Sequence, residues 1–215
     1  MEQSPPAALA HIEDLVGSWV HGWARARGVL APTSEVDGYR LDVASVGHLV
    51  RYVLPTTRTV AARARGLNEP GTWLKVCGPR SDVLDRLTPA WKVGEPEYLM
   101  STAVSPPALV ETPEPYTLQV KGADGVHHAV VCAPSGERAA GAVAALAGRA
   151  AVFDQVVTEP AHRRRGLAGL AVGALTAAVA ERGAEHAVLV ATEDGRKLYE
   201  RMGWTVVCEV TAAHL

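Results

Sequence analysis

The chain has 215 residues, of which 48% are hydrophobic and 20% are charged, and its formal net charge is −2. This length allows one large domain or two small ones, and the composition excludes disorder as the dominant state. Because the chain carries no excess of positive charge, neither nucleic acid nor an acidic membrane surface is expected as a partner.

The cysteines, the N-terminus and the hydrophobic runs of the sequence predict where the protein is located. Cys77, Cys132 and Cys208 form no CxxC pair, which indicates reduced thiols rather than a zinc or redox site. The first residues include early acids and no apolar core, unlike a signal peptide. The longest uncharged aliphatic run, residues 167–180, has 14 residues, too few to cross a bilayer. We therefore expect a cytoplasmic protein without a metal.

The N-terminal half of the chain has alternating helix and strand patterns. Hydrophobic spacing and turn residues predict, in chain order, a helix over 11–28, strands over 38–43 and 51–54, a helix over 59–67, a strand over 72–76, a helix over 81–87 and an extended segment over 91–100. Residues 105–115 are rich in proline and indicate a connector. We place a domain boundary there, which divides the chain into an N-terminal half (residues 1–105) and a C-terminal half (residues 106–215); the alternative is a proline-rich loop inside one domain.

The C-terminal half has a clearer pattern. It predicts strands over 116–120 and 127–133 around a GADG turn, an alanine-rich segment over 139–147 that suits helix or strand, a strand over 150–158, a helix over 166–182, a strand over 187–191, a short helix over 195–202 and a strand over 204–210. The fold class expected from both halves is α/β, of the α+β type, with a mixed, twisted β-sheet flanked by helices.

One segment carries the chemistry. Three consecutive arginines, Arg163, Arg164 and Arg165, lie between a strand and a long helix. The first turn of a helix has free N–H groups and a positive dipole end, and Gly166, Ala168 and Gly169 are small enough for a ligand to approach the backbone. This combination predicts a site for a phosphorylated ligand, preferably a pyrophosphate.

Other interpretations of this segment fit less well. A P-loop requires a lysine that is absent here, and a dinucleotide-binding turn requires a glycine spacing that Gly166, Gly169 and Gly173 do not have. A nucleic-acid patch of four basic residues in an acidic chain is a weak candidate. A solvated cluster of positive charge at a helix N-terminus is unfavourable by about 0.3–1 kcal/mol without an anion.

Two motifs resemble a known family. Arg163-x-x-Gly166-x-Ala168 resembles the [QR]xxGx[GA] signature of the GNAT superfamily, the acyl-CoA-dependent N-acetyltransferases. Leu198-Tyr199-Glu200 followed by Gly203-Trp204 is similar to the LYExxGF ending of that family. The motifs occur in the family's order, and the resemblance covers roughly residues 116–210.

The resemblance implies a site and a reaction. It implies that acetyl-CoA is the co-substrate, that the acceptor is a primary amine on a small molecule or peptide, and that Tyr199 protonates the departing thiolate. A buried helix tyrosine without that role is the alternative. The cofactor-binding residues that it implies are Val156, Val157 and Thr158 for pantetheine, and Arg163, Arg164, Arg165, Gly166, Leu167, Ala168 and Gly169 for the pyrophosphate. The resemblance also implies a homodimer, which no segment of the sequence itself indicates.

A general base is harder to assign from sequence. Asp154 alternates with Val156 and Thr158, which predicts that all three project from one face of the strand. Some family members carry a glutamate at the matching position, so Asp154 is the candidate base. A plain edge-of-strand carboxylate is the equal alternative, and Glu159 and Glu193 are weaker candidates.

The chain departs from the family in three ways. The two helices that usually follow the first strand have no room between 116–120 and 127–133, the chain ends soon after Val210, and about 105 residues precede the motifs. Those residues repeat the strand–helix–strand–helix–strand order of the C-terminal half without its arginine–glycine signature. We interpret the N-terminal half as a degenerate half-domain of the same kind, or as an unrelated α/β cap. A non-catalytic acyl-CoA-binding or regulatory module is the alternative function.

Overall fold

The computed structural model describes residues 5–105 and 111–215, and these form helices and strands in alternation. The helices are α1 (Pro5–Arg27), α2 (Val60–Gly66), α3 (Arg80–Leu84), α4 (Leu167–Ala180) and α5 (Glu193–Arg201). The strands are β1 (Thr33–Glu35), β2 (Gly38–Ser45), β3 (His48–Leu54), β4 (Thr72–Cys77), β5 (Lys92–Val93), β6 (Glu97–Ala103), β7 (Thr117–Ala123), β8 (Val126–Cys132), β9 (Arg138–Ala147), β10 (Ala150–Thr158), β11 (His186–Thr192) and β12 (Thr205–His214). The elements follow the predicted order, although α3 is shorter than the helix expected over 81–87.

All described strands join one mixed sheet. Its order is β1-β2-β3-β4-β12-β6-β11-β10-β9-β8-β7, and β5 pairs with β12. Only β3 with β4 and β10 with β11 are parallel pairs along this path. The expected fold class, a mixed sheet flanked by helices, is confirmed.

The two halves of the chain exchange strands within this sheet. β6, from the N-terminal half, lies between β11 and β12 of the C-terminal half. β12, in turn, pairs with β4 of the N-terminal half. Each half also contains one strand–helix–strand unit with a parallel pair, as the repeated order in the sequence indicated. The boundary that we predict within 105–115 lies partly outside the described residues.

Helix α1 covers one face of the sheet. The hydrophobic residues of the helix predicted over 11–28 are buried there against strands from β2 to β12. Gly22 allows the close approach, because a Cβ at this position would lie 2.3 Å from Cγ2 of Val152 on β10. One cavity is lined by both β2 and β8, which are far apart in strand order, so the sheet curls around the end of α1.

Helix α4 covers the opposite face of the same strands. The alanine-rich segment that suited helix or strand is β9, with Ala142 and Ala144 in the α4 core and Val143 packed with Ala26 of α1. Small side chains on both faces of a central strand let two helices pack close to it. This requirement explains the high alanine content of β9.

The hairpin before β9 has the predicted tight turn. Asp124 and Gly125, between β7 and β8, both have positive φ angles, of 51° and 74°. This backbone suits a two-residue hairpin loop whose twist matches that of the strands. The C-terminal half therefore has no helices between its first strands, as the sequence indicated.

Candidate active site

The site is created where two parallel strands separate. β10 and β11 pair over Ala150–Val152 and then diverge. The register of β10 against β9 shifts between Asp154 and Val157, and Gln155 has a φ angle of 53°. The side-chain amide of Gln155 donates a hydrogen bond to the carbonyl oxygen of Ala26, 3.1 Å away, which ties this bulge to the end of α1. A β-bulge of this kind redirects the side chains that follow it.

The bulge overturns one expectation. Val156 packs against the core on the α4 face, whereas Asp154 contacts Arg27 of α1 on the other face. The prediction that Asp154, Val156 and Thr158 project from one face is therefore wrong. Regular alternation along a strand holds only while the ladder is unbroken, and no sequence signal marked the extra residue at Gln155.

A cleft of about 810 Å³ opens on the α4 side of the separated strands. This volume lies within the range of about 300–1,000 Å³ that small-molecule sites usually have. Its lining combines the end of β10, the loop before α4 and the first turn of α4 with residues of α5. The lining residues are Val156, Val157, Thr158, Arg163, Arg164, Gly166, Leu167, Ala168, Gly169, Thr192, Asp194, Gly195, Leu198, Tyr199 and Arg201.

The loop before α4 presents unpaired backbone donors to this cleft. Arg164 and Gly166 have left-handed φ angles of 63° and 76°, and α4 begins at Leu167. Among the hydrogen bonds of the described residues, none is donated by the backbone N–H groups of residues 164–169. A Cβ at Gly166 or Gly169 would meet nothing within 4 Å, so the backbone there is open to a ligand. The loop and the start of α4 therefore offer free N–H groups and the positive end of a helix dipole, both of which favour anion binding.

The three arginines of the loop have different roles. Arg163 and Arg164 line the cleft, and the Arg163 Nε donates to the carbonyl oxygen of Thr158 at 3.3 Å. Arg165 instead donates to the hydroxyl of Tyr116 at 2.8 Å and is not part of the lining. The Nδ1 atom of His162 also lies 3.0 Å from the Tyr116 hydroxyl oxygen. The structure thus places Arg165 with the groups that hold the loop, not with those that face the cleft.

Replacement of Tyr116 tests this anchoring role. Tyr116→Phe removes the partner of both Arg165 and His162, and a typical hydrogen bond contributes about 0.5–1.5 kcal/mol to stability. We expect the melting temperature to fall by about 2–5 °C and the KM for acetyl-CoA to rise, with kcat at saturation unchanged. Thermal melts and steady-state kinetics measure both; an unchanged KM would show that the hydroxyl does not support the loop.

Tyr199 reaches the cleft from α5. The Thr192 hydroxyl caps this helix by accepting a hydrogen bond from the Gly195 N–H at 3.2 Å. The Tyr199 ring is only 6% exposed and lies 5.5 Å from the ring of Trp204. Burial raises the pKa of Tyr199 well above its ordinary value, and the negative charge of Asp154 raises that pKa further. The phenol therefore keeps its proton at neutral pH and is a donor.

Asp154 is held by the N-terminal half of the chain. The Arg27 Nε lies 2.6 Å from one carboxylate oxygen and its terminal nitrogen 3.2 Å from the other. The Asp154 side chain is 16% exposed and that of Arg27 43%, so the carboxylate is mostly buried while its partner reaches the solvent. The sequence offered no signal for the contact, because the two residues lie 127 positions apart.

The corresponding place in the N-terminal half has the opposite charge. The loop between β3 and α2 borders a cavity of about 360 Å³ together with β1 and the start of β2, and its charged lining residues are Glu13, Glu35, Asp37 and Arg58. Arg63 of α2 is paired with Glu35 at 2.7 Å and with Asp37. A site lined by carboxylates disfavours a pyrophosphate. The arrangement that suits an anion occurs only in the C-terminal half of the described chain.

The chain shares its fold with GCN5-related N-acetyltransferases, the GNAT superfamily. Residues 136–212 match the FR47-like protein family. The resemblance that the two sequence motifs indicate is thereby confirmed. No curated protein matches the chain in sequence.

Several solved structures share the whole architecture. A GCN5-related N-acetyltransferase from Kribbella flavida is 17% identical with a TM-score of 0.67, and the match covers 94% of this chain and 95% of that one. One from Sphaerobacter thermophilus is 14% identical with a TM-score of 0.59, covering 99% and 93%. An N-acetyltransferase-like protein from Streptococcus suis is 13% identical with a TM-score of 0.59, covering 98% and 99%. At these identities the likeness concerns the fold.

Two further kinds of site are not found within residues 5–105 and 111–215. In these ranges, no group of three or more His, Cys, Asp or Glu residues has the arrangement of a metal site. None of the helices described there is both long and apolar enough to cross a membrane.

Proposed function

We propose that the protein is an N-acyltransferase that moves an acetyl group from acetyl-CoA to a primary amine. The observation that carries this proposal is the cleft itself, in which one cavity is lined both by Tyr199 and by residues of the loop and first turn of α4 whose N–H groups are open. Acetyl-CoA supplies a pyrophosphate for the loop and an activated thioester for the reaction. The family resemblance and the shared fold support the assignment.

Each side of the cleft suits one portion of this co-substrate. The first turn of α4, with Arg163 and Arg164 beside it, would bind the pyrophosphate. The backbone of Val156–Thr158, freed from β11 by the divergence, would bind the extended pantetheine arm as a further strand does. Arg165 would contribute through Tyr116 to the shape of the loop.

The chain's own groups would move the protons. The acceptor amine attacks the thioester carbonyl in a ternary complex, so that a C–N bond forms and the C–S bond breaks. Tyr199 would give its proton to the sulfur as the bond breaks, because its raised pKa keeps it protonated at the start of each turnover. The amine must lose a proton in the same reaction, and Asp154, beside the divergence, is the proposed acceptor.

The contact of Asp154 with Arg27 makes this last role testable. A general base contributes typically about 10²–10⁴-fold to a rate. We expect Asp154→Asn to lower kcat about 100-fold or more, whereas Arg27→Gln, which removes only the ion pair, should lower kcat less than about tenfold. If both variants lose stability equally and keep kcat within about threefold of wild type, Asp154 serves only the ion pair.

A non-catalytic acyl-CoA-binding or regulatory module is the second candidate. The observation that favours it is the engagement of both Asp154 oxygens by Arg27, which gives this carboxylate a structural role that requires no substrate. Such a module would bind acetyl-CoA in the same cleft without amine-dependent release of thiol. A thiol-release assay across classes of amine separates the two candidates.

We also propose that the N-terminal half, residues 1–105, is a degenerate half-domain that packs beside the catalytic half, residues 106–215. Its support is the second parallel strand–helix–strand unit and the reciprocal placement of β6 and β12. The acidic cavity beside α2 is consistent with a unit that does not bind the cofactor.

A further inference from the structure

A second cavity lies on the α1 face of the sheet, beside the bulge. It has a volume of about 400 Å³ and is bordered by the end of α1 and by strands β2, β8, β9 and β10. Its polar lining includes Arg27, Arg138, His128 and Gln155, and the remainder is mostly valine and alanine. This cavity is therefore large enough for a small amine and has groups that would orient one.

Neighbouring residues of the bulge in β10 line the second cavity and the cofactor cleft. Gln155 lines the second cavity, and the next residues along the strand, Val156 and Val157, line the cofactor cleft. Arg27 lines the second cavity and holds Asp154, whose charge acts on Tyr199 in the cleft. The two cavities thus lie on opposite faces of the sheet, with the bulge of β10 between them.

The charged side chains that line the second cavity are both arginines. No aspartate or glutamate is among the described residues that line it. Arg27 is paired with Asp154, but no hydrogen bond or ion pair is found for Arg138 within the described ranges of the chain. One guanidinium is therefore available to an anionic group on a ligand.

A glycine leaves room for the side chain of Arg138. The Arg138 Nη2 lies 2.6 Å from the point that a Cβ at Gly141 would occupy, so the side chain runs along β9 towards Gly141. Gly141 pairs with Val157, and Val143 pairs with Asp154. Two residues along a strand span about 7 Å. Measured along β9, the Arg138 guanidinium therefore lies roughly 7 Å from the position that pairs with Asp154. A short molecule with a charged group at each end would bridge this distance.

We infer that the second cavity is the acceptor site and that Arg138 selects acceptors that carry a carboxylate near the amine, that is, amino acids. In this arrangement Arg138 binds the carboxylate through charge-assisted hydrogen bonds, and the amine points to the bulge. The inference rests on the proposed function, since it names the substrate class of that reaction. Arg138 is a specificity-determining residue in it and takes no role in proton transfer.

The experiment compares acceptors that differ only in the carboxylate. Alanine is paired with ethylamine, and γ-aminobutyrate with propylamine, as acceptors for wild type, Arg138→Gln and Arg138→Lys. A hydrogen bond to a charged group contributes about 1.5–3 kcal/mol, which corresponds to roughly 10–100-fold in kcat/KM. We expect wild type to prefer the amino acids by at least about tenfold, Arg138→Gln to lose that preference, and Arg138→Lys to keep some of it.

Controls separate this inference from the proposed function. Arg149→Gln removes an exposed arginine in the turn between β9 and β10 and should change neither kcat/KM nor the preference. Calorimetry measures binding of alanine and γ-aminobutyrate to wild type and Arg138→Gln, each saturated with CoA. If binding depends on Arg138 but no thiol is released, the site assignment stands and the transferase function fails. If thiol is released without any preference for the amino acids, or if Arg138→Gln keeps the preference, the inference is overturned.

Discussion

Gly169→Glu is expected to abolish acetyl-CoA binding without harming the fold. A Cβ at Gly169 meets nothing within 4 Å and the residue lines the cleft, so a glutamate there would place a carboxylate beside the free N–H groups of α4. It would compete with the pyrophosphate and repel it. Loss of two or more hydrogen bonds to a charged group corresponds to at least about 100-fold in Kd. Calorimetric titration with CoA measures this loss.

The melting temperature and one further variant serve as controls for stability and side-chain shape. Glutamate is a better helix former than glycine and is favourable in the first turn, so the melting temperature should not fall. Gly169→Gln has the same shape without the charge, and we expect it to weaken CoA binding by no more than about tenfold. Equal affinities in the glutamate and glutamine variants would mean that the pyrophosphate does not bind at this helix.

Tyr199→Phe is expected to stop turnover while leaving the cofactor bound. The phenol is the only proton donor that we assign to the departing thiolate, and a general acid contributes typically about 10²–10⁴-fold. We expect kcat to fall by that range and the Kd for CoA to change less than threefold. The Phe ring keeps the packing against Trp204, so the melting temperature should be close to that of wild type.

The pH dependence provides a second test of this role. Burial raises the pKa of Tyr199 above its ordinary value of about 10, so the wild-type phenol stays protonated up to and beyond that pH. Ionisation of Tyr199 should therefore produce no alkaline decline of kcat below about pH 10. Tyr52→Phe, on β3, is the matched control and should retain full activity. If the Tyr199→Phe enzyme had the kcat of wild type, Tyr199 would not act as the general acid and its ring would serve only in packing.

The grouping of the residues that line the cleft at the start of α4 was predictable from sequence because these residues are contiguous. Arg163, Gly166 and Gly169 lie within one turn and one helix start, so their spacing alone places them at the same helix N-terminus. Tyr199 was predicted from the second motif, and the structure brings it to the same cleft. Local backbone geometry and free N–H groups follow directly from a strand–turn–helix pattern.

Other features of the site depend on contacts between distant segments. Arg27 reaches Asp154 across 127 positions, and Arg165 reaches Tyr116 across 49. The bulge at Gln155 reversed the face of Val156 relative to Asp154, although both residues were correctly assigned to a strand. The strand exchange between the two halves was also not predictable, because the residue patterns of β6 and β12 do not indicate which strands they pair with. These features follow from packing and hydrogen bonding across the sheet.

The central claim is acyl transfer from this cleft to an amine, and amine-dependent release of thiol from acetyl-CoA tests it most directly. The assay uses the full chain with amino acids, simple alkylamines, polyamines and peptides as acceptors, and mass spectrometry identifies the product. The account predicts thiol release that requires an amine, equals the N-acetylated product formed and is lost in Tyr199→Phe. Tight binding of acetyl-CoA with no amine-dependent thiol release from wild type would contradict it.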